Sequence, residues 1–222
     1  VLTLGNDSNF GASYIMRTND WDLNEAGGPV FYEELRPGSC RPWVRIERRE
    51  VRLKPLEQRR YRFEVHVPQD APEGECRFAL MVEQPPEAAA ATGGAGNMRF
   101  PIQGRLGVIV YLRVGAAAAR LELEGVRTET VNAQKIPVAV FRNAGNAHGR
   151  PAGVLEAVDA DRRSLELTVS PSPVLPGRTR AVPIWPQAAQ ESQKPPTLRY
   201  PLTLKGRIEW DGGSRDVELT LP

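Results

Sequence analysis

The chain has 222 residues, 41% of them hydrophobic and 25% charged, and its 29 basic residues nearly cancel against 27 acidic ones. That balance excludes the disordered and fibrous classes, and because the basic residues are spread through both halves, no dense stripe marks a nucleic-acid footprint. No apolar run reaches the ~18 residues of a membrane helix and the N-terminus carries no signal-peptide pattern, so membrane insertion is not expected and the chain reads as a processed or trimmed product.

Taken in chain order, short runs rich in Val, Leu, Ile, Phe and Tyr alternate with polar residues and are punctuated by 20 Gly and 20 Pro. This is a strand pattern with almost no helix signal. The first half predicts strands over 1–5, 11–18, 43–47, 58–66, 75–84 and 98–114. The second predicts 119–128, 136–142, 151–158, 164–170, 178–185, 198–210 and 214–221, with Asp211-Gly212-Gly213-Ser214 as the hairpin turn between the last two. Because Val1 already lies in a strand, the first strand of a sandwich is expected upstream of it. The segment Arg45 to Arg52 interleaves mixed charges with apolar residues, as the solvated face of a strand does.

Two segments repeat. Leu2–Asn9 recurs as Val138–Asn146, and Val51–Phe63 recurs as Pro173–Ile184. Two similar modules of roughly 100 residues each follow, and the fold class is all-β, two tandem immunoglobulin-like sandwiches. The short Gly115–Ala119 link places the boundary, giving domains 1–115 and 116–222 and a bent, two-lobed outline. Two loops are longer than usual: Glu87–Gly96, small and uncharged after its first residue, and the Pro/Gln-rich Pro186–Pro196.

Both cysteines, Cys40 and Cys76, fall in the first module next to predicted strand starts. The placement permits an intramodular disulfide in an oxidising compartment, and equally two buried free thiols. Catalysis finds no support. His66 and His148 stand in separate modules without a neighbouring nucleophile motif, and read as an edge and a turn residue. Asp159 and Asp161 lie in a polar turn rather than a calcium or acid–base site, and no Gly-rich phosphate loop opens a helix. A zinc site is disfavoured for want of ligands in one module, and no cofactor is expected.

The order Asn6–Asn9, Trp21 in a polar turn, Pro42-Trp43, Leu53–Pro55, Phe63, Val67-Pro68, Phe78–Met81, Gln84–Pro86 and a long strand Met98–Val114 resembles the first domain of PapD-like periplasmic pilus chaperones. Phe141–Asn143 and Val174–Gly177 are compatible with their second domain. The resemblance implies a periplasmic protein that lends a β-strand to an incomplete pilus or fibre subunit, with an outer-membrane usher as a further partner. It places the donated strand at Met98, Phe100 and Ile102, which are spaced by two and therefore share a face. Pro101 between them removes a backbone donor, as an edge strand tolerates.

The family anchors the client's C-terminal carboxylate with an Arg from the first strand and a Lys from the last strand of the first domain. Here the first strand is expected upstream of Val1, Gly107 stands at the aligned Lys position, and Arg105 is the nearest cation. Arg113 takes the place of an interdomain ion-pair partner. Two other readings are weighed against this one. A structural or adhesive surface module would bury the 98–102 stripe that a chaperone exposes. A carbohydrate-binding module would need an aromatic platform, and Trp21, Trp43, Trp185 and Trp210 are dispersed, with Trp43 expected in the core.

Overall fold

The computed structural model describes residues 1–24, 26–85, 104–188 and 194–222. They form two compact units: 1–72 with 76–112, and 73–75 with 113–222. Both are built of antiparallel strands, and the described residues contain no α-helix.

The first unit contains β1 (Leu2–Gly5), β2 (Ala12–Leu23), β3 (Pro29–Tyr32), a single 3-10 turn (Arg41–Trp43), β4 (Val44–Ile46), β5 (Glu50–Leu53), β6 (Gln58–Tyr61) and β7 (Phe63–Val65). It also takes most of β8 (Gly74–Glu83) and β9 (Arg105–Val114). One sheet runs β3-β2-β8-β9, with β5 also on β2, and the pairs β1–β6 and β4–β7 supply the facing layer. Phe78 and Leu80 of β8 join Cys40 in the core, and Val108, Val110 and Leu112 of β9 pack against them.

The sheet's other face is covered too. Ala79 and Met81 are fully buried, so β8 is apolar without a break from Phe78 to Val82, as a strand covered on both faces is. Sequence placed Trp21 in a polar turn after a strand ending at 18. Instead β2 continues to Leu23, and Trp21 is buried edge-on against Tyr111 of β9 at 5.3 Å between ring centroids. The Arg77 guanidinium lies over the same ring at 5.5 Å, and the neighbouring Asp20 ties down the loop after β3, accepting from the Arg36 N–H at 2.8 Å and from Ser39 Oγ at 2.6 Å. Trp43 is only half-buried at the core margin.

The second unit is one seven-stranded sheet. Its strands are β10 (Leu121–Val131), β11 (Gln134–Asn143), β12 (Val154–Val158), β13 (Ser164–Val169), β14 (Thr179–Pro186), β15 (Leu202–Trp210) and β16 (Gly213–Leu221), in the order β10-β11-β14-β13-β12-β15-β16. Alternation does the work the sequence promised: Leu121 and Leu123 enter the core while Glu122 and Glu124 face out. The β15–β16 hairpin turns on Asp211-Gly212, with Gly212 at φ 89°, where glycine carries no Cβ penalty. The seam between the first and last strands is bridged by Arg215, whose Nη1 donates to the Leu123 carbonyl at 2.9 Å.

Both units contain the same corner, built on an asparagine. In the second, Asn143 Nδ2 donates to the carbonyls of Ala147 and Val174, both at 2.8 Å, while Oδ1 accepts from the N–H groups of Arg120 and Gly145. In the first, Asn6 Nδ2 donates to the carbonyls of Phe10 and Lys54, and Oδ1 accepts from Ser8. The repeat seen in the sequence is therefore a repeated hydrogen-bond frame.

Candidate functional site

Met98, Phe100 and Ile102 lie outside the described residues. The strand they lead into is described from Gly104, whose carbonyl accepts from the Gln84 N–H at 3.2 Å and so registers the start of β9 on the end of β8. Among the described residues β9 pairs on one side only, with β8, and β1 on one side only, with β6. Between these two open edges lies a groove of about 390 Å³ lined by Leu4, Tyr14, Val82, Gln84, Arg105 and Leu106 among others. Leu106 is 62% exposed. Leu4, Tyr14, Val82 and Leu106 were not singled out by sequence, because each belongs to a different strand and only the fold gathers them.

Arg105 opens β9. Its Nε lies 2.7 Å from Glu83 Oε1 and its Nη2 3.6 Å from Glu33, while Arg17 approaches the other Glu83 oxygen at 3.5 Å. The Arg105–Glu83 contact is ionic without hydrogen-bond alignment, since Glu83 Oε1 has no hydrogen-bond partner. With its amide turned to satisfy both neighbours, Asn19 accepts from Arg105 Nη2 at 3.2 Å and donates to the Thr18 carbonyl. Two half-exposed guanidiniums thus flank one buried carboxylate, and each keeps donors directed elsewhere.

Gly107 cannot present a cation. The Phe31 ring lies on its Cα, and a Cβ built there would sit inside the ring's van der Waals envelope, 2.7 Å from Cε1 and 3.1 Å from Cε2. Glycine is required by this close approach rather than by its backbone angles. Gly107→Ala is expected to destabilise the first unit by about 2 kcal/mol through overpacking. Urea titration checks it: pairing the change with Phe31→Leu should cost less than the two single changes summed.

Arg113 belongs to the second unit, as does Glu75. Its Nε lies 3.8 Å from Glu75 Oε2 and its Nη2 donates to the His148 carbonyl at 3.2 Å. The Glu75 side chain is fully buried, and the same oxygen meets His148 Nδ1 at 2.5 Å and accepts from the His148 N–H at 3.1 Å. His148 is therefore a structural partner of a buried carboxylate inside its turn. His66 is exposed beside Glu64. The Asp159 turn is closed by Arg163, whose side chain donates twice to Asp159 and holds its carboxyl below the ordinary range.

Cys40 and Cys76 form a disulfide, with Cα atoms 5.8 Å apart, set into the core beside Phe78 and Leu80. No helix among the described residues is long and apolar enough to cross a membrane.

No protein-family model matches the chain, and no curated protein does. It is similar to several solved structures. The CupB2 chaperone of Pseudomonas aeruginosa aligns with 100% of this chain and 91% of its own at 12% identity and a TM-score of 0.46. The CsuC–CsuE chaperone–tip adhesion subunit pre-assembly complex of Acinetobacter baumannii aligns with 99% and 88% at 12% identity and 0.46. The YadV chaperone aligns with 99% and 90% at 10% identity and 0.48. At such identities no residue's role is taken from them.

Proposed function

We propose that the chain is a non-enzymatic periplasmic chaperone that holds a pilus or surface-fibre subunit by strand addition along residues 98–105 and the start of β9. The observation that carries this is the edge of β9 that no described strand pairs, beside an apolar groove. An edge strand offers unpaired N–H and C=O groups to an incoming strand, and main-chain bonds give affinity while alternate side chains fill pockets. Met98, Phe100 and Ile102 would supply those side chains. Arg105 would meet the client's terminal carboxylate through the donors that Glu83 leaves unused. The disulfide supports an oxidising compartment. An outer-membrane usher is the further partner in this reading, and Arg113 is the residue proposed for an interdomain ion pair.

Phe100→Ser combined with Ile102→Asp is expected to abolish co-purification of the subunit while the first unit's thermal transition stays unchanged. Collapse of that transition would instead put both side chains in the chain's own core and leave a structural module.

A further inference from the structure

One corner of the first unit carries apolar side chains that its duplicate lacks. Phe10 is 80% exposed and Leu56 67% exposed, whereas their counterparts on the same frame are Ala147, fully buried, and Gly177. The turns around them share two backbone bonds. The Asn6 N–H donates to Glu57 O and Asn143 N–H to Arg178 O, while Glu57 N–H donates to Lys54 O and Arg178 N–H to Leu175 O. Leu56 adopts φ 54° and Gly177 φ 69°. That region favours glycine and penalises a bulky residue, so the turn does not ask for leucine.

The two apolar residues share one corner. The Leu56 N–H donates to Ser8 O at 3.2 Å, and Asn6 Nδ2 holds both the Phe10 and the Lys54 carbonyls. The strands leaving the turn are basic: over 52–62 there are five cations, Arg52, Lys54, Arg59, Arg60 and Arg62, against the single Glu57. Glu57 is already engaged, since the Lys54 N–H and the Arg59 guanidinium hold its carboxyl below the usual range. Asp7 is the one acidic residue on the adjoining loop, 6–10. Exposed Arg52, Lys54, Arg60 and Arg62 make no ion pair among the described residues.

We propose that this corner docks peripherally on an anionic lipid surface. Phe10 and Leu56 enter the acyl boundary, and Lys54 with the neighbouring arginines meets the phosphate headgroups. Exposed apolar residues on a turn whose flanking strands carry cations with no ion pair among the described residues match an interfacial composition, and lipid accepts such protrusions without a shaped pocket. Nothing spans the bilayer, and the strand-donating edge is not involved.

The test is sedimentation of the full chain with vesicles of phosphatidylcholine alone or with about 30% phosphatidylglycerol. Binding is expected only to the anionic vesicles and to weaken with salt. Phe10→Ala combined with Leu56→Gly copies the second unit's corner and so keeps the fold; it is expected to reduce binding at least about tenfold with the thermal transition kept or raised. Equal binding by wild type and variant, or to both vesicle types, overturns the proposal. So does an absence of vesicle binding, including the case in which the corner instead captures an acidic protein.

Discussion

Cys40→Ala combined with Cys76→Ala is expected to lower the thermal midpoint of the first unit by roughly 15 °C and leave that of the second unchanged. The bridge closes a separation of 36 residues. Its removal frees the unfolded chain by about 4 kcal/mol on the chain-entropy view, a large share of the roughly 5–15 kcal/mol that holds a domain folded. The thiols also sit in the core, so alanine removes packing against Phe78 and Leu80 as well. Differential scanning calorimetry resolves the two units because each has its own core. Adding reductant to the wild type should reproduce the shift. A first-unit transition that ignores both treatments would mean the bridge adds nothing to stability.

Asn143→Ala is expected to destabilise the second unit by about 3 kcal/mol. The side chain is 1% exposed and its amide satisfies four backbone groups, two by donation and two by acceptance. Truncation strands the Ala147 and Val174 carbonyls and the Arg120 and Gly145 N–H groups without their partner. Asn143→Asp should cost at least as much, because a carboxylate accepts but cannot donate to those carbonyls. Asn6→Ala should cost less, since Phe10 and Lys54 are exposed and water can replace the lost bonds. Chemical denaturation followed by circular dichroism ranks the three variants, and equal costs for Asn6 and Asn143 would refute the role given to burial.

Strands with strict alternation, such as Leu121–Glu124 and the β15–β16 hairpin, could be read directly, because a period of two survives whatever packs on the sheet. Trp21 could not. Its ring meets Tyr111 of β9 and the Arg77 guanidinium of β8, residues far along the chain that only the folded sheet brings to it. β3 shows no alternation, since Val30, Phe31 and Tyr32 are all partly buried, whereas β5 does alternate and its segment was legible as a strand face. At the candidate site the sequence pointed to Arg105 but not to Glu83, which pairing of β8 with β9 brings to it. Gly107 was noticed for the cation it lacks, and the reason it lacks one is the Phe31 ring. The asparagine repeat was visible as letters, while the left-handed turn at Leu56 was hidden behind a residue that rarely adopts it.

The Arg215 bridge to Leu123 has a bearing on colloidal behaviour. It draws the two outermost strands of the seven-stranded sheet together and occupies a carbonyl that would otherwise recruit another chain. Edge-to-edge aggregation of concentrated protein should therefore run through the first unit. Arg215→Ala, by freeing that carbonyl, would open a second route to it.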